Sequence, residues 1–380
     1  MKGVYLDYAA TTPVDEKVLA AILPYFTENF GNPSSLYSYG RTARQAVAKA
    51  RAEVADLIGA APSEIFFTSG GSESDNWALK GMAFKLRREG KGNHIITSAI
   101  EHHAILNACA YLEQEGFNVT YLPVDDKGRI NPSDVVKAIT ADTIIVSLML
   151  ANNEVGTIEP IAAIGKILRE KNIFFHTDAV QAVGHIAVNV NELQVDALSL
   201  SGHKIYAPKG IGALYLRRGI QPDALIHGGA QERAMRAGTE NVAGIVGLGA
   251  AAVLAKNDLD SEKKRLSKLR DILIAEILKI PHAYINGDSN CRLPHNVSFG
   301  VENIPQDTML IRLDMAGFAV SAGSACSAGS LEPSHVLLAM GQTPKKAASA
   351  IRVTIGRYTT AEDITSFIKT LREIIHFLAK

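Results

Sequence analysis

Cysteine is scarce in this chain: there are three among 380 residues, Cys109, Cys291 and Cys326. No two stand at C-x-x-C spacing, so neither a zinc site nor an iron–sulfur cluster can be assembled from this chain's thiols alone. An odd, sparse count also argues against a disulfide framework and leaves room for one reactive thiol. Charge of one sign is missing too. Lys plus Arg and Asp plus Glu number 39 each, which gives no global field to draw nucleic acid or an acidic membrane surface. Asp7 stands where a signal peptide needs an apolar core. Apolar runs such as 144–146 and 148–151 are far too short to span a bilayer. These absences predict a cytoplasmic protein that engages neither nucleic acid nor membrane.

What is present is 47% hydrophobic and 21% charged residues, the profile of a globular chain too long for one small core, so two domains are expected. Val47, Ala50, Val54, Leu57 and Ile58 recur at helical spacing. Short apolar runs at 64–68, 143–151, 173–178, 197–201 and 211–216 read as strands, and helical stretches separate them. Strands apolar on both faces predict an α/β fold with a mainly parallel sheet covered on both sides. Past residue 256 the texture changes. A charged helix at 261–280, a strand at 296–300, a helix at 307–316, a strand at 350–355 and a closing helix follow. Ile364, Phe367, Ile368, Leu371, Ile374, Ile375 and Leu378 line one face of that last helix, and Thr359 with Glu362 fits a capping box at its start. The expected division is a large domain at 14–256 and a smaller α+β domain formed by 1–13 and 257–380.

Three polar motifs each follow a predicted strand. Thr68-Ser-Gly-Gly-Ser-Glu-Ser-Asp-Asn76 opens a helix, where backbone N–H groups and the Ser72 hydroxyl can cradle a phosphate or simply cap a turn. His176-Thr-Asp-Ala-Val-Gln181 offers Asp178 as a partner for a ring nitrogen, or as a plain helix cap. Ser199-Leu-Ser-Gly-His-Lys204 puts a lysine after a buried strand, where lost solvation favours Schiff-base chemistry over an ordinary surface role. Individually these are common motifs. Together, in this order at the strand ends of one sheet, they mark the place where open α/β sheets bind ligands.

With these motifs the chain resembles the fold-type I pyridoxal-phosphate enzymes of the class V aminotransferase family, and within them the cysteine desulfurases of the NifS/IscS type. The likeness also runs through Leu6-Asp-Tyr-Ala-Ala-Thr-Thr-Pro13, Gly31-Asn-Pro-Ser-Ser35, Asn152-Asn-Glu-Val-Gly156 and Gly356-Arg-Tyr-Thr359. Its most specific piece is Ser324-Ala-Cys-Ser-Ala-Gly-Ser-Leu-Glu-Pro-Ser-His335.

The resemblance implies a mainly parallel, seven-stranded type of sheet and pyridoxal 5'-phosphate as cofactor. Lys204 would carry the cofactor and move the substrate Cα proton. Asp178 would hold the pyridine nitrogen protonated, so that the ring can draw electrons. Gln181 would bond the ring's phenolate oxygen, and Asn153 would orient cofactor and substrate. Gly71, Ser72, Ser201 and His203 would hold the phosphate, and Thr239 would reach the phosphate of the other subunit of a homodimer. His102 would stack on the ring; adjacent side chains diverge, so His102-His103 makes a poor metal pair. Arg352 would grip the substrate carboxylate through a two-pronged contact, with Arg357 as competitor.

Cys326 sits among small residues. This is the setting of a buried filler, or of an exposed nucleophile that attacks inside a pocket and delivers its cargo outside. The resemblance favours the second: L-cysteine would yield alanine and a persulfide on Cys326 for a sulfur-acceptor or iron–sulfur scaffold protein, with which Cys326 could share a transient cluster. The alternatives are a selenocysteine lyase, a transaminase without need of the cysteine loop, or a catalytically silent cluster-assembly scaffold. Two departures stand out: Gly71-Ser72 where relatives often carry Ala-Thr, and an end at Lys380 where some relatives continue into a tail that docks a scaffold.

Overall fold

The computed structural model describes residues 3–322 and 333–378; Cys326 lies outside the described residues. The core is a seven-stranded sheet in the order Ile65–Thr68, Gly212–Leu216, Ala197–Ser201, Phe174–Asp178, Thr143–Ser147, His94–Ser98 and Asn118–Leu122. Gly212–Leu216 runs antiparallel to both its neighbours, and the other pairs are parallel. Helices cover both faces. One core gathers Val54, Ile65, Val146 and Phe175, and another gathers Trp77, Ile95, Ile145 and Leu214. This is the expected α/β architecture, in which strands buried on both sides need continuous apolar sequence.

Two strands of this sheet go beyond those read from the sequence. Asn118–Leu122 is the edge strand and is mostly part-exposed, so it carries no apolar run. His94–Ser98 is fully buried but begins with a histidine, whose ring nitrogens meet the Thr143 and Thr120 hydroxyls at 2.7 and 2.9 Å.

A second, four-stranded sheet orders Ser321–Ala322, Ala350–Thr354, Asn296–Val301 and Ala283–Asn286, all antiparallel. It has its own core of Phe299, Val353, Phe367 and Leu371, with Leu273 packed against them. The chain start is tied to this part: Val4–Tyr5 pairs with Phe318–Ala319, and Asp7 bridges Thr354.

Two details depart from the sequence reading. The charged helix expected at 261–280 is the second half of one helix, Val242–Ile277. No glycine or proline lies between Gly249 and Pro281, so nothing breaks the backbone where the composition changes. Its first half, 242–255, is a longer apolar run than those singled out in the sequence, and among the described residues it makes the one helix long and apolar enough to cross a membrane. Gly249 packs so closely on the helix Ser38–Leu57 that a Cβ would stand 2.7 Å from Ala50. The cap of the closing helix, Ala361–Leu378, also differs. The reciprocal pair is Thr360 with Asp363, at 2.9 and 3.1 Å, and not Thr359 with Glu362. Two overlapping frames were available, and the Thr359 hydroxyl is taken by the Gly356 N–H at 3.0 Å.

Candidate active site

The parallel strands end on one side of the large sheet, and their next residues build a cavity of about 310 Å³. The strand Phe174–Asp178 delivers Asp178, whose Oδ1 accepts the Val180 N–H at 2.9 Å. One oxygen therefore caps a turn, where the simpler reading of this motif expects a helix; no helix directly follows the strand. The carboxylate still lines the cavity. After Ala197–Ser201 a short 3-10 turn, Gly202–Lys204, swings Lys204 into the same space. Its ammonium donates to the Ala9 and Ala10 carbonyls at 2.5 and 2.8 Å. Lys209 lines a neighbouring hollow instead.

Ile65–Thr68 leads into the helix Gly71–Arg88, whose N-terminus faces the cavity with Gly71 and Ser72. A Cβ at Gly71 would lie 2.7 Å from Val180 Cγ2. The glycine is thus fitted to Val180, which explains the departure from Ala at this position. Ser201 and His203 complete this end. Burial, with Lys204 and Lys209 nearby, pushes His203 down to about 4, so its imidazole is neutral at neutral pH.

His102 is the N-cap of the helix His103–Gln114, and its Nδ1 accepts the Ala104 N–H at 3.1 Å. The neutral ring therefore carries its proton on Nε2. Burial lowers its pKa, and Asp178 pulls it back up. The expected divergence of His102 and His103 holds, with ring centroids 6.5 Å apart and His103 packed on His335 at 4.7 Å. Burial raises the pKa of Asp178 on balance, while His102, the Val180 N–H and Lys204 pull it back down, so the Lys204 ammonium is its cationic neighbour here.

The second sheet supplies the opposite wall. Arg352, on Ala350–Thr354, is 1% exposed and lines the cavity. Its guanidinium meets Asp7 Oδ1 at 2.8 Å and the Asn153 carbonyl at 3.1 Å. Arg357 is committed to Asp15 and Asp258, at 2.6 and 3.1 Å, and lines a different, small hollow. Asn153 and Gln181 line the main cavity, and Gln181 Nε2 donates to the Ala9 carbonyl at 3.0 Å. Thr239 does not line this cavity. It is exposed, on a segment that Arg236 ties to Glu73 of the phosphate-end helix at 2.8 Å.

Ten of the residues expected from sequence (Gly71, Ser72, His102, Asn153, Asp178, Gln181, Ser201, His203, Lys204 and Arg352) thus share one cavity. Sequence reasoning gave no role to Asp75 or to Ala9 and Ala10, which line the same cavity, and Asp75 is only 1% exposed. Pyridoxal phosphate fits this wall chemically. A helix N-terminus with hydroxyls suits its phosphate, a buried carboxylate suits its pyridinium, and a lysine suits its aldehyde.

Residues 4–367 match the family described as Aminotransferase class-V. Over 377 residues the chain is 53% identical to the Cysteine desulfurase IscS of Methanosarcina thermophila, covering 99% of this chain and 93% of that relative. It is 54% identical over 378 residues to the Cysteine desulfurase IscS of Dictyoglomus turgidum, covering 99% and 95%. A solved NifS-like protein superposes with a TM-score of 0.93 at 40% identity, covering 99% of this chain and 100% of that one.

Proposed function

The chain belongs to the class V aminotransferase family and is a pyridoxal-phosphate-dependent cysteine desulfurase, and on that premise we propose that it moves sulfur from L-cysteine to Cys326 and on to an acceptor protein, in the cytoplasm, for iron–sulfur cluster assembly or other sulfur-containing products. The observation that carries the reading is the meeting of Lys204, Asp178 and His102 at the strand ends, with Arg352 facing them across one cavity.

Bound pyridoxal phosphate would supply an electron sink for the carbon beside the substrate amine. Gly71, Ser72, Ser201 and His203 would hold its phosphate, Gln181 its phenolate oxygen and Asp178 its pyridinium. Lys204 would be the residue that holds the cofactor's aldehyde carbon and, as a free amine, the base for the Cα proton. His102, protonated only on Nε2 when neutral, can pass a proton at that nitrogen. Arg352 and Asn153 would fix the substrate carboxylate, the guanidinium turning toward it in place of some of its present partners.

The Cys326 thiolate then attacks the substrate sulfur. An S–S bond forms, the C–S bond breaks with its electrons leaving toward carbon, and protonation gives alanine. One thiol plus one L-cysteine becomes one persulfide plus one L-alanine, with no outside oxidant. Although Cys326 lies outside the described residues, its segment is framed by cavity residues: Ser321 pairs with Arg352, and Ser334 hydrogen-bonds Glu154. We read 14–256 as the cofactor-binding unit and 1–13 with 257–380 as the smaller one, on the strength of their separate cores.

Incubating the purified protein with pyridoxal phosphate, L-cysteine and a thiol reductant should release alanine and sulfide in equal amounts. Pyruvate in place of alanine, or neither product, would overturn the proposal.

We further propose a homodimer in which Thr239 completes the neighbour's phosphate site. Its exposure and the Arg236–Glu73 tether beside the phosphate-end helix support this. Sedimentation should give a dimer, and Thr239→Ala should weaken cofactor retention about tenfold, the worth of one hydrogen bond to a charged group. A fully active monomer would rule it out.

A further inference from the structure

Asp75 is a buried carboxyl to which the mechanism above gives no task. It lies in the helix Gly71–Arg88, is 1% exposed, and lines the same cavity as Asp178. Among the described residues its Oδ1 has no hydrogen-bond partner, and it stands 3.7 Å from His176 Nε2. That histidine is a poor counter-ion. Its Nδ1 pairs with the Ser147 hydroxyl and its Nε2 with that of Ser199, each at 2.9 Å, and burial pushes the ring down to about 3. Ser199 is the other polar group that bears on Asp75, while Asp178 and Glu101 both repel charge there. Glu101 is itself pushed up to about 8 by burial.

Burial raises Asp178 too, but the Val180 N–H on one oxygen and the fields of His102 and Lys204 work against that rise, and Asp75 has no such counterweight beyond Ser199. Two carboxyls on one cavity wall thus face different surroundings, imidazole and hydroxyl at Asp75 against a backbone donor and the Lys204 ammonium at Asp178. Pairs of this kind separate into one acid and one anion, because ionising both in low dielectric is costly. Burial accordingly drives Asp75 well above the usual carboxylate range.

We propose that Asp75 is a positioning residue that keeps its proton in this wall and so leaves Asp178 the single anion where the pyridine nitrogen is to be held. The inference deepens the functional reading above and rests on it. A second anion at Asp75 would compete with Asp178 for the ring's proton and weaken the directed contact. An uncharged acid instead keeps a polar donor beside Ser199 and adds no field against Asp178.

The test uses the holoenzyme and two variants, Asp75→Asn, which keeps a neutral donor of the same shape, and Asp75→Leu, which keeps only the bulk. The infrared difference between wild type and Asp75→Asn at neutral pH should contain the C=O stretch of a protonated carboxylic acid. A carboxylate band in its place overturns the proposal. In cofactor titrations Asp75→Asn should stay within about threefold of wild type, with an unchanged pH midpoint in the bound cofactor's absorbance. Asp75→Leu, uncharged but without the donor, should bind about tenfold more weakly at the same midpoint. An Asn variant as impaired as Leu, or a Leu variant like wild type, also overturns it. Wild-type protein that takes up no pyridoxal phosphate would instead bring down the functional reading itself.

Discussion

Asp178→Ala is expected to lower turnover about a thousandfold while the protein remains folded. The carboxylate closes the strand Phe174–Asp178 and is 6% exposed, so any charge it meets in the cavity is felt through little water. Removing it would take away the anion meant to keep the pyridine nitrogen protonated, and with it the electron sink. Support of this kind is commonly worth about 3–4 kcal/mol in a transition state. The structural loss is smaller, since only the cap to the Val180 N–H goes, at about 1 kcal/mol. Asp178→Asn separates the two effects, because the amide oxygen can still cap the turn but carries no charge. Steady-state assays should find Asn nearly as inactive as Ala, with both melting close to wild type. Near-normal turnover in either variant would reduce Asp178 to a turn cap.

The same residue marks what sequence could and could not give. Phe174–Asp178 and Ala197–Ser201 are short, fully buried strands that open on apolar residues and end inside the polar motif, so strand, strand end and site residue were legible together. Where an element's signal depends on neighbours distant in sequence, it was not. The edge strand Asn118–Leu122 has no apolar face to display. The helix running through residue 256 hid behind a change of composition that its backbone does not register. Asp75 belongs to a Ser-Glu-Ser-Asp run that reads as a solvated first turn. It is buried only because the helix lies against His176 and Ser199 of two strands more than a hundred residues away. Arg352 and Arg357 were equally eligible as carboxylate ligands by residue type. The strand position of Arg352 against the cavity and the Asp15 and Asp258 pairings of Arg357 distinguish them, and neither is visible without the fold.

Cys326→Ser should separate binding from sulfur transfer. The groups proposed to hold the cofactor (Lys204, Asp178, Ser72 and His203) all line the cavity from the large sheet's strand ends, so the variant should take up pyridoxal phosphate as wild type does. Lys204, His102 and Arg352 are untouched, so adding L-cysteine should still change the cofactor's absorbance. Production of alanine and sulfide should nevertheless fall by about three orders of magnitude or more, the scale on which loss of an attacking nucleophile is felt. A serine hydroxyl is almost wholly protonated at neutral pH, whereas a thiol is partly ionised and more nucleophilic.

The other two thiols cannot take over. Cys109 is fully buried in the helix His103–Gln114, and burial, with Glu101 and Glu113 nearby, pushes it up to about 12. Cys291 is half-buried in the turn closed by Asp288, whose carboxylate accepts its N–H at 2.9 Å, and it does not line the cavity. Mass spectrometry of wild type after brief exposure to L-cysteine should therefore find one added sulfur on the Cys326 peptide and none on the peptides of Cys109 or Cys291. A sulfur on Cys291, or full activity in Cys326→Ser, would move the acceptor elsewhere. Loss of cofactor binding in Cys326→Ser would mean that the 323–332 segment helps to hold the cofactor, and the two halves of the mechanism would no longer be separable.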